Sequence, residues 1–186
     1  HQEHCAMKIT TDSCLFGAWA AVICQQLSVN SILDIGTGTG LLSLMLAQKS
    51  NAAIQSVEID EQAAMQAQQN FQQSSWKERL TLHHIAVQYF TKKTQQQFDF
   101  IITNPPFYEN DLKTDNAQKN AAHHSTLLNL DELIDCIKNL LTSNGFFTIL
   151  LPYSRTDYFL QSAKDFHLVE RVNVKQTANH NYFRSM

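Results

Sequence analysis

The chain has 186 residues, 44% hydrophobic and 17% charged, with a formal net charge of −3, a size and composition that suit one soluble domain with its own core. Its longest apolar runs, such as 145–151, are far too short to cross a bilayer, and no basic segment followed by an apolar one opens it as a secretory signal would. A net negative charge does not advertise nucleic-acid binding, which would have to rest on a local basic patch.

Cys5, Cys14, Cys24 and Cys136 show no CxxC pairing and read as reduced, mostly buried thiols of a cytoplasmic protein. The chain opens on His1 without an initiator Met and stops at Met186 in what reads as mid-strand. It is therefore read as one domain over 1–186, with residues expected to be missing at both ends.

In chain order, 6–11 suits a short extended piece. The stretch 12–27 carries Leu15, Phe16, Trp19, Ala20, Ile23 and Leu27 at helical spacing, with Thr11 or Asp12 as N-cap. A brief apolar run at 31–35 is broken by Gly36-Thr37-Gly38-Thr39-Gly40, after which 41–49 resumes helical character. A second strand is predicted at 53–59, a Gln/Ala-rich helix at 61–75, a third strand at 80–86 and a fourth at 98–103. The polar stretch 109–124 lacks periodicity and has the length of a functional loop. A helix at 131–141, stopped by Gly145, precedes an apolar strand at 146–151 placed in the middle of a parallel sheet. A last helix at 156–165 and a strand at 168–174, with a partner from Tyr182 onward, complete the reading.

Alternating strands and helices predict a doubly wound α/β sheet, in which ligands bind outside the carboxyl ends of the strands. Gly36 to Gly40, Glu58 and Asn104 all fall at such ends, so one crevice can hold all three. Glu58 can accept from two ribose hydroxyls. The glycine spacing is G-x-G-x-G rather than the dinucleotide G-x-G-x-x-G, and Asp34 sits two residues before the first glycine. An acid there would repel a pyrophosphate but suits an ammonium group, such as the methionine part of S-adenosylmethionine. A ligand-free glycine turn and an NAD site remain the competing readings.

Asn104-Pro105-Pro106-Phe107-Tyr108 ends the fourth strand. Proline fixes its own φ and holds the residue before it extended, so the Asn104 amide oxygen and the Pro105 carbonyl become two fixed acceptors with an aromatic ring beyond. That set fits a planar NH2 group. Joined to a sulfonium methyl donor, it defines amino-group methylation: the two acceptors turn the nitrogen lone pair toward the methyl and stabilise the charge that develops. Phe107, or Tyr108, would stack on an unstacked base.

Asp34-Ile-Gly-Thr-Gly-Thr-Gly40, Val57-Glu-Ile-Asp60 and Asn104-Pro-Pro-Phe107 resemble the class I methyltransferases that modify amino groups. The segment from Ala6 to Ala20, Ala-Met-Lys-Ile-Thr-Thr-Asp-Ser-Cys-Leu-Phe-Gly-Ala-Trp-Ala, with His124-Ser125 and the Leu-rich helix after it, is similar to bacterial valine tRNA adenine(37)-N6 methyltransferases. The resemblance covers nearly the whole chain. It implies a Rossmann-like, mostly parallel seven-stranded sheet flanked by helices, S-adenosylmethionine as cofactor, and an adenine of the tRNA anticodon loop as substrate. It further implies Asn104, Pro105, Pro106 and Phe107 as the catalytic motif. Asp34, Gly36, Thr37, Gly38 and Gly40 would line the methionine part of the cofactor, Glu58 its ribose and Ile59 its adenine, with Asn104 beside the reacting methyl.

Many relatives carry an acid after the third strand; here His84-Ile85-Ala86-Val87 stands there, leaving that contact to the backbone of Ala86. Thr11 and Asp12 either close over the cofactor or merely cap a helix. Phe107, Tyr108 and His124 would meet the substrate. Adjacent His123 and His124 do not suit a metal, and none is expected, nor is a membrane or an obligate protein partner. Lys92, Lys93, Lys113 and Lys119 would contact phosphates or simply be solvated, and Asp99 reads as a structural residue at a strand start. The residues leave three readings open: adenine methylation in tRNA, the same chemistry on an rRNA guanine or a protein glutamine, and a non-catalytic nucleotide-binding module.

Overall fold

The computed structural model describes residues 10–105 and 128–186. Pro106, Phe107, Tyr108, His124 and the expected loop at 109–124 lie outside them. Five parallel strands, β1 (Ser31–Ile35), β2 (Ala53–Glu58), β3 (Leu80–His84), β4 (Phe98–Thr103) and β5 (Leu141–Ile149), form a sheet in the order β3-β2-β1-β4-β5. The order reverses between β1 and β4, the point at which a doubly wound sheet opens a crevice at its carboxyl edge.

The helices divide between the two faces. Helices α1 (Thr11–Leu27), α2 (Leu41–Lys49) and α3 (Glu61–Gln72) bury Phe16, Leu46 and Phe71 against Ile32, Ile54, Phe100 and Ile102. Helices α4 (Val87–Lys93) and α5 (Leu130–Leu140) bury Phe90, Leu133 and Ile137 against Leu33, Ile35, Val57 and Ile101. Because successive strand residues point to opposite faces, Ile32 and Leu33 feed different cores, and β1, flanked by β2 and β4, is buried from Ile32 to Ile35. Beyond β5 come β6 (Leu151–Pro152), α6 (Thr156–Ser162), β7 (Asn173–Val174) and β8 (Arg184–Ser185), with a separate antiparallel sheet in the order β6-β8-β7.

The doubly wound class stands, but the seven-stranded sheet does not: the described strands make a sheet of five and a small one of three. The strand expected over 168–174 shortens to Asn173–Val174, and its partner is β8. β5 is an edge of the described sheet rather than its middle, with Phe146 37% exposed. The chain passes from α5 into β5 at Leu141 without a glycine stop. Leu141 pairs with Phe98 and pairing resumes at Phe146 with Phe100, so 142–145 bulge out and Gly145 belongs to that bulge. The N-cap of α1 is Thr10, not Thr11 or Asp12, its hydroxyl accepting from the Ser13 backbone N–H at 3.4 Å. Helix α4, unassigned from sequence, is only seven residues long and shows no extended apolar period.

Candidate active site

Below the glycine loop lie two buried carboxylates. Asp34, fully buried on central β1, accepts at Oδ2 from Thr37 Oγ1 (2.6 Å), Ser43 Oγ (2.7 Å) and the Ser43 backbone N–H (3.2 Å). Its Oδ1 has no partner. Burial pushes its carboxyl up from 3.8 to about 6 against the pull of those donors, and the nearby Glu58 charge adds to the rise. Glu58 ends β2 and accepts at Oε2 from the Gly38 N–H (2.8 Å) and at Oε1 from the N–H groups of Ile59 and Asp60 (2.9 Å each). One side chain thus ties the glycine loop to the end of the neighbouring strand.

The loop itself is shaped by backbone that L-residues avoid. Gly36 (φ 70°) and Gly38 (φ 58°) are left-handed, and a side chain placed on either would meet no atom within 4 Å, so both border open space. The Gly36 and Thr37 N–H groups donate to the Val57 carbonyl at 2.9 and 3.2 Å. Gly40 behaves differently: an added Cβ would strike the Phe71 ring, so this glycine serves close packing of the loop on α3.

Two acids beneath an open, left-handed glycine turn make a cradle of negative charge. An orphaned buried carboxylate oxygen calls for a cation or its water, and both glycines of the loop above it border open space. These residues fit the ammonium-bearing methionine part of S-adenosylmethionine and do not fit a pyrophosphate. Along the same edge Ile59 is 51% exposed, His84 Nε2 lies 3.1 Å from the Ile59 carbonyl, and the Ile85 N–H donates to the Glu58 carbonyl at 2.9 Å. The ends of β2 and β3 therefore form one wall reaching Ala86, the N-cap residue of α4.

Asn104 leaves the end of β4 on the other side of the switch point. The Thr103 hydroxyl donates to the Ile35 carbonyl at 2.9 Å and the Leu150 N–H to the Thr103 carbonyl at 3.1 Å, tying the ends of β1, β4 and β5 together. Asn104 Nδ2 donates to Ser13 Oγ at 3.0 Å. The amide nitrogen is thus directed at α1.

Ser13, buried in the first turn of α1, lies 2.8 Å by its hydroxyl from the Thr10 hydroxyl. Asp12 of the same turn takes Arg184 Nε at 2.7 Å. Burial alone would raise the Asp12 carboxyl, but its bonds to Thr10 and Arg184 hold it below the usual carboxylate range. A polar chain therefore runs from Asn104 through Ser13, Thr10 and Asp12 to Arg184.

Sequence reasoning left Thr11 and Asp12 between a contact to the cofactor and a helix cap. The structure leaves Thr11 exposed, turns Asp12 toward Arg184 and sends Ser13 to the site. Ser13 lay within the Ala6–Ala20 segment without a role of its own, and Arg184 carried no motif signal; only knowing that residue 13 folds over residue 104 gives them one. Among the described residues no group of three or more His, Cys, Asp or Glu side chains could hold a metal, and no helix is long and apolar enough to cross a membrane. Asp99 accepts at Oδ2 from the Asn30 and Ser31 N–H groups and the Ser31 hydroxyl, each at 3.0 Å, which makes it a staple between strand starts.

The sheet order and the glycine cradle define the class: the Methyltransferase small domain model matches residues 19–152. Solved methyltransferases share the fold, among them precorrin-6y C5,15-methyltransferase from Geobacter metallireducens (TM-score 0.67, 16% identity, 98% of this chain and 88% of that one). TrmN from Thermus thermophilus is another (TM-score 0.64, 18% identity, 89% and 46%).

Sequence relatives narrow the class. The chain is 47% identical to a tRNA1(Val) (adenine(37)-N6)-methyltransferase of Dyadobacter fermentans, over 87% of this chain and 65% of the relative. It is 38% identical to one of Flavobacterium psychrophilum, over 100% and 79%. The chain belongs to the family of tRNA1(Val) (adenine(37)-N6)-methyltransferases.

Proposed function

We propose that this protein methylates the exocyclic N6 amino group of adenine 37 in the anticodon loop of valine tRNA, with S-adenosylmethionine as methyl donor. The observation that carries the reading is Asn104, its amide turned by Ser13 at the end of β4, beside the acidic cradle of Asp34 and Glu58. The names of the relatives supply the acceptor.

The cofactor supplies an electrophilic methyl on sulfur. Asp34 and the open turn at Gly36, Thr37 and Gly38 hold the methionine end, Glu58 the ribose, and Ile59 and Ala86 the adenine. The lone pair of an adenine amino nitrogen is delocalised into the ring, which makes it a poor nucleophile. Asn104 Oδ1 and the Pro105 carbonyl accept its two N–H bonds, leaving the lone pair to face the methyl. As the new N–C bond formed, the methyl's bond to sulfur would break to leave a neutral thioether, and the same two acceptors would stabilise the positive charge growing on nitrogen. Water takes the proton afterwards, so no strong base is required. Pro106 stiffens the motif, Phe107 stacks on the unstacked base, and Tyr108 and His124 complete the substrate side in this reading.

Asn104→Ala is expected to abolish methyl transfer, by at least about a thousandfold, while affinity for S-adenosylmethionine stays within about twofold. Nucleoside mass spectrometry of tRNA incubated with the protein and labelled cofactor checks both acceptor and residue. Label on N6-methyladenosine at position 37 is the expected result; label on guanine or on protein glutamine overturns the acceptor, and turnover by the variant overturns the clamp.

A further inference from the structure

The chain carries a net charge of −3, yet residues 171–186 hold Arg171, Lys175 and Arg184 and no Asp or Glu. That stretch folds as a hairpin: β7 and β8 pair antiparallel, and the turn is closed by the His180 N–H donating to the Thr177 carbonyl at 3.1 Å. Two aromatic rings stand together on it, Tyr153 (39% exposed) and Tyr182 (43%), and the next residue, Phe183, is 37% exposed. The Tyr153 and Tyr182 ring centroids are 5.3 Å apart. Arg171 lies 5.5 Å from the Tyr153 ring, Lys175 5.5 Å from Tyr182 and Arg184 5.7 Å from Phe183.

Rings with cations beside them supply what an unpaired nucleic-acid strand needs, a π surface for bases and positive charge for phosphates. An acidic protein would use the cations and leave the rings idle. The face is also placed for a substrate strand. The Tyr153 N–H donates to the Phe183 carbonyl at 3.1 Å, which attaches the hairpin where the chain emerges from the carboxyl end of β5. Arg184 is bonded to Asp12, and the next residue, Ser13, holds the Asn104 amide. The hairpin is thus rooted one helical turn from the base clamp.

We propose that Tyr153, Arg171, Lys175 and Tyr182 form the docking surface for the RNA strand flanking the target base. The proposal rests on the RNA-methylating reading above. Rings receive unstacked bases and the cations receive phosphates, so the strand is held while one base reaches Asn104.

The test uses the full chain with an unmodified valine tRNA transcript, reading KM for RNA, kcat, cofactor affinity by calorimetry, and RNA binding against salt concentration. Lys175→Gln is expected to lower the slope of log affinity against log salt by about one and to raise KM. Tyr182→Ala is expected to weaken RNA binding about tenfold with the slope unchanged. Both side chains are exposed, and in both variants kcat at saturating RNA and cofactor affinity should stay within about twofold of wild type. Lys49→Gln, in the last turn of α2 away from the glycine loop, serves as control and should move nothing. Unchanged KM and slope in Lys175→Gln and Tyr182→Ala overturn the docking surface, as does a loss shared equally with cofactor affinity. If the wild type binds RNA through this face but transfers no methyl to it, the proposed acceptor falls and the docking surface stands.

Discussion

At the scale of single residues, Asp34 carries a buried carboxylate oxygen that no hydrogen bond satisfies. A carboxyl raised from 3.8 to about 6 binds its proton more tightly in the native protein than in the unfolded chain. Its contribution to stability is therefore full below the unfolded value and lost as pH rises through about 6, leaving none at neutrality. An arriving ammonium group reverses the preference and favours the ionised form. Affinity for S-adenosylmethionine is expected to fall as pH drops below about 6, approaching tenfold per unit. Calorimetry in buffers of different ionisation enthalpy should read about one proton released below that pH and almost none well above it. An affinity flat across that window would remove Asp34 from the cofactor site.

Ser13 makes a second residue-scale case. It touches neither reacting group in the proposed reaction, so its part is to position Asn104. Losing one neutral hydrogen bond is worth about 1 kcal/mol, which converts to roughly fivefold. Ser13→Ala should thus lower kcat by about that factor and leave cofactor affinity nearly unchanged, while Ser13→Thr, which keeps the hydroxyl, should restore most of the rate. Equal losses in kcat and cofactor affinity would make Ser13 a structural residue only.

Among the elements, the outcome of reading the sequence follows from which forces are local. Strands β1 to β4 were legible because each is a short apolar run with a turn or a charge at its end, and the glycine loop because few other residues take φ values of 58° to 84°. Asp34, Glu58 and Asn104 followed from their places at strand ends. The four-residue detour 142–145 was hidden, because pairing Leu141 with Phe98 depends on a neighbour far away in sequence. So was β6 as a strand apart from β5, and the pair β7 and β8 was legible only as a longer strand with a partner after it, because their partners, not their composition, set their limits.

Asp99 shows the intermediate case, since an acid at a strand start was visible but its three donors were not. Asp99→Ala should cost about 2 kcal/mol by urea unfolding, the order expected for hydrogen bonds to a charged group. A cost below about 0.5 kcal/mol would mean those bonds are replaced by water.

Across the whole molecule, the pair between Asp12 and Arg184 joins positions 172 residues apart and fastens the small antiparallel sheet to the helix that carries Ser13. Because Asp12 is held below the ordinary carboxylate range, its contribution is present above the unfolded value and is lost as pH falls through the lowered one. Arg184→Ala should destabilise the protein by about 2 kcal/mol at neutral pH, and the gap from wild type should close in acid as pH falls through the lowered Asp12 value. A gap that persists there would assign the loss to packing of the Arg184 stem on Phe183 instead.

The same tie sets an order of events during synthesis. Domains form from the amino end as the chain leaves the ribosome, and all five parallel strands are complete by Ile149. Asp12 nevertheless waits for residue 184 before the turn that holds Asn104 is anchored. A nascent chain halted before β8 emerges would hold its glycine loop between β1 and α2 while the first turn of α1, and with it the Ser13 contact to Asn104, still lacked its tie to the carboxyl-terminal sheet.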